Sequence, residues 1–242
     1  MRPSRRLFES LVLLIAAAAP VQAEEPPPWN GNLEFSYLET SGNSNSQTLS
    51  TAGKLERAFS RSKLTAEGKA IYGEKDEITS DRNWSGSLKY DFLASDRMSV
   101  FALEAVERNV LKGLEFRYTH QGGLGYRLIK TGKDTLRLEV GAGYMREDRV
   151  DPFNDYGFPT ARLFGGYLHS FDDKNRFEQT VEYLPNLREG EDYMINEVTS
   201  LISNLMGNLA MKVSFEVNYD NLPPPEFQKS DRIFKTALLY TF

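Results

Sequence analysis

Asp231–Phe242, with the sequence DRIFKTALLYTF, is the stretch that decides the fold, because its residues alternate between two faces up to the end of the chain. Successive side chains of a β-strand point to opposite sides, so each face receives every second residue. One face carries Phe234, Thr236, Leu238, Tyr240 and Phe242, and the other carries Ile233, Lys235, Ala237, Leu239 and Thr241. We expect the face that ends in Tyr240 and Phe242 to contact lipid.

The first 23 residues have the composition of a secretory signal peptide. A basic start is followed by an apolar core at residues 11–19 and by the small-residue site Val21-Gln22-Ala23, so cleavage is expected after Ala23. Loss of the three arginines and one glutamate of this segment changes the formal charge from −5 to −7. The acidic mature chain is not expected to bind nucleic acid, which selects a basic surface.

The mature chain, residues 24–242, has one composition throughout and is expected to form a single domain. It contains no cysteine, which excludes disulfides and thiolate metal sites. No mature segment offers about 18 consecutive apolar residues, so a membrane-spanning helix is excluded. The mean hydropathy of −0.48 still fits a membrane barrel, because each strand of a barrel gives only every second residue to lipid.

Twelve alternating runs can be followed through the mature chain, and turn compositions separate them. The clearest run places Trp84, Gly86, Leu88, Tyr90 and Phe92 opposite Ser85, Ser87, Lys89 and Asp91. Short turns follow the even-numbered runs, and mostly longer charged loops follow the odd-numbered ones. The sequence therefore predicts an all-β fold, an antiparallel transmembrane β-barrel of about 12 strands with short periplasmic turns and longer external loops.

Three segments are less regular. In residues 98–107 both faces are partly apolar, and Glu104 is expected to avoid lipid. The residues assigned to the outside are therefore Phe101, Leu103 and Ala105. Residues 193–206 are ambiguous in face, and the charged segment 73–81 is expected to be a long surface loop.

Aromatic residues recur near both ends of the runs, as expected for the two girdles that mark the membrane interfaces. The periplasmic girdle is expected to contain Phe59, Phe92, Phe101, Tyr126, Tyr167, Phe177 and Tyr240. The outer girdle is expected to contain Tyr37, Tyr72, Trp84, Phe116, Tyr144, Tyr183, Tyr193 and Tyr219. A general preference of aromatic residues for strands is the alternative, but it does not produce two levels.

Four segments together carry a family resemblance: SGNSNSQTLS at residues 41–50, YGEKDEITSDRNWSGSLKYDFLASDR at 72–97, GGLGYRLI at 122–129 and LEVGAGY at 138–144. They resemble the YdiY-like family of outer-membrane proteins, which are described as salt-induced and share domain of unknown function 481. The resemblance covers most of the mature chain and is most specific between Tyr72 and Tyr144. It implies an outer-membrane barrel of unsettled biochemical task and transfers no catalytic residue.

The charged face of the runs is expected to line the lumen of the barrel. The candidate lumen charges are Glu67, Lys69, Lys89, Asp91, Arg117, Arg127, Arg137, Glu139, Glu178, Glu182, Lys212 and Glu216. Because opposite charges on neighbouring strands can pair, we expect a narrow lumen with a small and weakly selective conductance. The alternative is that these residues are the wetted wall of a wider pore.

Three classes of function follow from these observations. The first, which we favour, is a structural barrel or narrow passive solute channel linked to envelope or salt stress. The second is a barrel enzyme of the protease or lipase type, which the two histidines, His120 and His169, support poorly because neither has a fitting nucleophile spacing. The third is an exported soluble ligand-binding barrel, which would carry its charged face outside.

The expected place in the outer membrane indicates the partners of the protein. We expect contacts with outer-membrane lipid and lipopolysaccharide, and we expect neither a metal nor a cofactor. The terminal Tyr240 and Phe242 resemble the signal by which the barrel assembly machinery recognises its substrates. The glycines of 122–125 and 141–143 lie within strand patterns and precede no helix, so we expect them to accommodate a bend or a neighbouring ring rather than a phosphate.

Overall fold

The computed structural model describes residues 29–40, 46–75, 78–150 and 155–242. These residues form twelve antiparallel strands: β1 Trp29–Thr40, β2 Ser46–Ala58, β3 Ser62–Lys75, β4 Ile78–Leu93, β5 Met98–Asn109, β6 Leu114–Lys130, β7 Asp134–Arg149, β8 Tyr156–Ser170, β9 Asn175–Pro185, β10 Tyr193–Met206, β11 Leu209–Asp220 and β12 Ser230–Thr241. No helix in this described part is long and apolar enough to span a membrane. The expected signal peptide lies outside the described residues.

Each strand pairs with its neighbours in the chain, and β1 pairs with β12 to close the barrel. The closing ladder joins four residues of β1, from Asn32 to Phe35, to β12 between Leu238 and Thr241. Phe242 extends it, because its backbone N–H and C=O both bond to Gly31, at 3.0 and 2.9 Å. Closure leaves no open sheet edge, which is what a strand structure in lipid requires. The predicted barrel of twelve strands is confirmed.

The faces predicted for the last strand are confirmed by its exposure pattern. Phe234 is 73% exposed and Tyr240 is 49% exposed, whereas Ala237 and Leu239 are almost fully buried inside the barrel. The same alternation is seen in β4, where Leu88 is 49% exposed and Asp91 is 4% exposed. In these two strands the outer face is apolar, whereas the inner face holds the charged side chains Lys235 and Asp91 together with buried apolar ones, the inverse of the polar outside of a soluble barrel.

The faces predicted for β5 are wrong. Phe101 is only 3% exposed, and Leu103 and Ala105 line the interior cavity. The ring of Phe101 lies on the backbones of Gly123 and Gly141, where an added Cβ would come within 2.9 and 3.0 Å of it. These two glycines form a socket for the ring, which confirms that strand glycines accommodate an aromatic neighbour and explains why β5 turns this face inward.

Two further segments differ from their expected form. The segment 73–81 is mostly strand, because β3 continues to Lys75 and β4 begins at Ile78. In β10, Leu201 is 54% exposed and Ile202 is 3% exposed, so the odd-numbered residues of this strand face outward. Glu197 and Thr199 consequently lie on the outside.

The connections lie at two ends of the barrel, which we name the turn end and the loop end. The turn end carries the connections after even-numbered strands, such as residues 59–61 and 207–208, together with Trp29 and Phe242. The loop end carries longer connections, including 186–192 and 221–229. The expected first loop, residues 41–45, lies outside the described residues.

Outward aromatic rings meet in groups near the two ends. At the loop end Tyr193 lies 5.6 Å from Tyr183 and 6.0 Å from Tyr219, measured between ring centroids. At the turn end Tyr167 contacts Phe177 at 6.3 Å, and Tyr240 contacts Phe242 at the same distance. These contacts fit the two expected girdles, from which Phe101 must be removed because it points inward.

The backbones of β6 and β7 approach each other closely at their glycines, and this close approach leads to a prediction about stability. A Cβ on Gly143 would come within 1.8 Å of the His120 carbonyl oxygen, whereas a Cβ on Gly68 meets nothing nearer than 3.8 Å. We expect Gly143→Ala to lower the free energy of unfolding by about 1–3 kcal/mol, because the two backbones must separate. Urea unfolding in lipid vesicles measures this loss. Gly68→Ala serves as the control, and equal effects of the two substitutions would refute the close approach.

Candidate functional site

The interior of the barrel contains a cavity of about 460 Å³. Its wall comes from β1–β6 and β9–β12, with Met145 of β7. Among the described residues, both signs of charge line it: Glu34, Glu67, Glu107, Glu178, Glu182 and Glu216, together with Lys54, Lys69, Arg117, Lys212 and Lys235. The wall thus presents mixed charges rather than a field of one sign.

Glu139 is the centre of a buried charge cluster beside this cavity. Its side chain is fully buried and contacts Lys89 of β4, Arg162 of β8 and, at 3.3 Å, Arg137. Arg162 also donates from Nε to Glu182 at 2.6 Å. Because β4 and β7 are not neighbours in the sheet, the contact between Lys89 and Glu139 crosses the interior of the barrel.

Aromatic rings pack against the cations of this cluster. Lys89 Nζ lies 4.8 Å from the centroid of the Phe101 ring, and the guanidinium carbon of Arg162 lies 5.3 Å from the same centroid. Arg137 and Arg162 also lie over Phe164, at 5.1 and 4.7 Å. Cation–π contacts of this kind strengthen when water is excluded. We call Lys89, Phe101, Arg137, Glu139, Arg162 and Phe164 the Glu139 cluster.

A second cluster surrounds Glu147 nearer the loop end. Glu147 accepts hydrogen bonds from Arg117 Nη2 and Arg149 Nη2, both at 2.7 Å. Arg117 also lies 3.4 Å from Glu107 and 3.6 Å from Asp220 of β11. Because β6 and β11 are five strands apart, the pair between Arg117 and Asp220 also crosses the interior.

A third group of ion pairs lines the opposite wall of the cavity. Lys235 Nζ lies 2.8 Å from Glu216, and Lys69 of β3 lies 3.6 Å from the same carboxylate. Lys212 Nζ donates to Glu34 of β1 at 2.5 Å. The pairs Lys69–Glu216 and Lys212–Glu34 connect strands that are not adjacent, so they narrow the space available to a solute.

Two connections on opposite sides of the barrel meet across the loop end. Lys112, between β5 and β6, lies 2.9 Å from Asp231 at the start of β12. A Cβ on Gly113 would come within 2.8 Å of the Phe227 ring and 3.1 Å of Pro224, which places the loop 221–229 against this turn. We call this contact the mouth bridge, and it covers part of the opening.

The loop end also contains a buried apolar cluster and a connection that is fixed by hydrogen bonds. Met145, Phe158, Leu184 and Met194 form a buried cluster inside the barrel. Beside it, Asn186 Nδ2 donates to the carboxylate of Asp192 at 2.7 Å. Burial raises the pKa of the Asp192 carboxyl above its usual range. The connection 186–192 is therefore held onto the rim rather than extended away from it.

The structure assigns positions to all the charges expected in the lumen. Those that line the cavity are Glu67, Lys69, Arg117, Glu178, Glu182, Lys212 and Glu216. Lys89, Arg137 and Glu139 lie in the Glu139 cluster, and Asp91 contacts Lys89 at 3.1 Å. Arg127 Nη1 donates to the backbone oxygen of Asp96 at 2.9 Å, at the turn end. Their part in conduction stays a prediction.

Several interior charges were not among the predicted ones. The most informative are Glu34, Lys54, Glu107, Glu147, Arg149, Arg162 and Lys235. Alternation alone could have found some of them, since Arg162 precedes the 50% exposed Leu163 and Lys235 follows Phe234. Within the described residues, no group of three or more His, Cys, Asp or Glu side chains is arranged to hold a metal ion.

Comparison with known proteins gives the family. The sequence profile of DUF481, described as a protein of unknown function, matches residues 33–242. The chain belongs to the DUF481 family. It is also similar to a protein of Escherichia coli described as "Uncharacterized protein YdiY", with 22% identity over 223 residues, covering 90% of this chain and 85% of that protein. The resemblance stated from the sequence is confirmed.

A comparison with solved structures bears on the architecture of this DUF481 barrel. An outer membrane channel from Pseudomonas putida superposes with a TM-score of 0.53 at 10% identity, covering 93% of this chain and 100% of that one. The KdgM porin superposes with a TM-score of 0.47 at 12% identity, covering 88% of this chain and 99% of that one. The first of these likenesses shows that the fold is that of outer-membrane barrels.

Proposed function

We propose that this DUF481 protein is an outer-membrane barrel that acts as a narrow passive channel for small polar solutes. The observation that carries the proposal is the interior cavity of about 460 Å³ with both signs of charge on its wall. A barrel that served only as a structural element would be free to fill this space with apolar side chains. A wall with both signs of charge favours the entry of hydrated solutes and selects only weakly between cations and anions.

Buried polar groups support a hydrated interior. Gln121 lines the cavity and is 6% exposed, and neither atom of its side-chain amide has a hydrogen-bond partner among the described residues. Leaving a buried polar group unpaired costs about 1–3 kcal/mol. A polar occupant that bonds to Gln121 removes this cost, so the cavity favours water or a polar solute.

The dimensions support a small conductance. Twelve strands about 4.8 Å apart and tilted by about 40° give a backbone radius of roughly 12 Å. The pairs Lys89–Glu139 and Arg117–Asp220 cross this space. A solute must therefore pass between fixed ion pairs and lose part of its hydration.

The other two classes of function gain less support. His169 Nδ1 bonds to Asp134 at 2.8 Å and His120 Nδ1 bonds to Glu104, and in the described part of the chain neither histidine bonds to a hydroxyl nucleophile. A soluble barrel would not expose side chains such as Leu33 and Phe234 on its outer surface.

The link to salt stress comes from the family resemblance, and protein levels at low and high NaCl concentration test it.

Solute flux tests the channel directly. Purified barrel reconstituted into liposomes is expected to admit small polar solutes and to exclude larger ones, as measured by the rate of liposome swelling. Liposomes without protein provide the baseline. If liposomes that contain folded barrel swell no faster than this baseline, the barrel does not act as a channel.

Neutralising two interior cations is expected to change ion selectivity. Arg117 pairs with Glu147, Glu107 and Asp220, and Arg137 contacts Glu139. In the double variant with Arg117→Ala and Arg137→Ala, these carboxylates lose cationic partners. The reversal potential in a salt gradient should therefore shift toward the value of a cation-selective channel, and the conductance should rise. Arg127→Ala removes one cation at the rim and is the control. An unchanged reversal potential in the double variant would contradict the narrow charged lumen.

The terminal residue is proposed to serve as the assembly signal after cleavage at Ala23 and export to the outer membrane. Its backbone also closes the barrel against Gly31, so a deletion would disturb two functions. Phe242→Ala keeps the backbone bonds and removes the ring. We expect a several-fold loss of heat-modifiable barrel from the outer membrane, and Phe242→Tyr should restore it. Undiminished yield of Phe242→Ala would exclude the ring as the signal.

A further inference from the structure

An ion pair lies on the outer wall of the barrel, where the fold presents side chains to lipid. Glu104 of β5 and His120 of β6 stand directly opposite each other in the ladder, and their side chains are 60% and 59% exposed. His120 Nδ1 bonds to the Glu104 carboxylate. Ionisable side chains on the lipid side of a barrel are costly, so such a pair needs a physical reason.

The aromatic girdle indicates the depth of this pair. Trp84, Phe116 and Tyr118 meet at 6.2 and 5.9 Å near the loop end. His120 follows Tyr118 by one outward position, which is about 7 Å along the strand. The pair therefore lies on the hydrocarbon side of the girdle and not among lipid headgroups.

Each member of the pair keeps an unused hydrogen-bonding atom. His120 uses Nδ1 and Glu104 uses Oε2, and no other hydrogen bond of either side chain is found in the described part of the chain. A protonated imidazole has two donors, and a carboxylate accepts at both oxygens. With the imidazole protonated, one donor and one acceptor remain exposed side by side on an apolar surface.

This arrangement is complementary to itself. When two barrels face each other about a two-fold axis along the membrane normal, the left side of one surface meets the right side of the other. With the axis between β5 and β6, Glu104 of one copy faces His120 of the second, and the reverse holds. With both imidazoles protonated, the two pairs become one ring of four alternating charges, in which Nε2 and the second carboxylate oxygen find partners.

The neighbouring row of the wall allows the close approach that such a ring needs. Four small outward residues are cross-strand neighbours on β5 to β8, one outward position from the ion pair: Ala102, Gly122, Ala142 and Ala161. Small residues let two backbones pack closely within a membrane. Beyond them lies a row of larger apolar residues that pack beside the contact, Val100, Leu124, Val140 and Leu163.

We propose that the protein forms a two-fold dimer in the membrane through the outer faces of β5 and β6, with the Glu104–His120 pairs of the two copies at its centre. Another polar group of the outer wall, on β9 and β10, lacks these properties. Gln179 Nε2 donates to Glu197 at 3.0 Å and to Thr199 at 3.3 Å, and the group holds no cation. It lies four strands away and serves as an internal control.

Cysteine cross-linking in native membranes tests the dimer, because the chain contains no cysteine of its own. Ala102→Cys places a thiol beside the proposed axis and should give a disulfide-linked dimer on mild oxidation. Thr199→Cys places a thiol on the outer wall four strands away and should stay monomeric. Heat modifiability on gels verifies that each variant is folded.

The ion pair is tested in the Ala102→Cys background. Glu104→Ala with His120→Ala should lower the cross-linked fraction several-fold, and Glu104→Gln alone, which keeps the shape of the side chain, should lower it less. A folded Ala102→Cys barrel that does not cross-link would overturn the proposal. Equal cross-linking through Thr199→Cys would indicate random collision, and an undiminished dimer without the ion pair would exclude its role. Monomers that instead retain phospholipid through His120 would assign the pair to a lipid headgroup and also overturn the dimer.

Discussion

Glu139→Gln is expected to destabilise the folded barrel by about 3–5 kcal/mol, because it removes the anion that three cations of a buried cluster share and leaves them only two neighbouring carboxylates, Asp91 and Glu182. Lys89, Arg137 and Arg162 all contact this carboxylate, whose side chain has no solvent exposure. Glutamine keeps the size of the side chain, so the loss reports charge rather than packing. Urea unfolding of the barrel in lipid vesicles measures the change.

Glu178→Gln provides the matched control for this substitution. Glu178 forms an ion pair with Arg176 at 2.8 Å, and both side chains are partly exposed. Removal of a partly exposed pair should cost at most about 1 kcal/mol. If Glu139→Gln were no more harmful than Glu178→Gln, the Glu139 cluster would not hold the barrel together.

Opening the mouth bridge is expected to raise the single-channel conductance several-fold. Lys112→Ala removes the ion pair with Asp231, and Phe227→Ala removes the ring that packs on Gly113. Without these contacts the loop 221–229 loses its attachment to the opposite side of the opening. The double variant in planar bilayers gives the measurement.

Lys229→Ala is the control for the bridge. Lys229 lies in the same loop, and its Nζ bonds to Asn221 at 3.2 Å without crossing the opening. This variant should conduct like the wild type. If the double variant also conducts like the wild type, the narrowest part of the path lies elsewhere, and the Glu139 cluster becomes the constriction to test.

The strand pattern predicted the architecture because most strands carry their face in their own residues. In β12, Phe234 and Leu238 alternate with Lys235 and Ala237, so one strand is enough to assign the outer side. The even number of strands and the uneven lengths of the connections then predict closure with both termini at one end. These features need no knowledge of contacts between distant residues.

The face of β5 could not be predicted from β5 alone. Phe101 turns inward because Gly123 and Gly141 on two other strands make room for its ring, and this socket depends on the register. Glu104 turns outward because His120, which stands opposite it, supplies a partner. The rule that glutamate avoids lipid failed here because it treated the residue as unpaired.

The charge clusters of the interior likewise could not be predicted from the pattern of any single strand. Alternation can place Glu139 inside, but the contacts with Lys89 and Arg162 depend on the size of the barrel and the stagger of its strands. The mouth bridge joins Lys112 to Asp231, which are far apart in sequence and on opposite sides of the barrel. Sequence patterns within single strands contain no information about such pairs.

Single-channel recording of the wild-type barrel in planar bilayers tests the proposed channel most directly. The crossing ion pairs and the mouth bridge predict steps far smaller than those of an open cylinder with a radius of roughly 12 Å. The mixed charges of the wall predict a reversal potential close to zero in a salt gradient. Large steps, strong selectivity for one sign of charge or the absence of any steps from folded barrel would contradict a narrow passive channel.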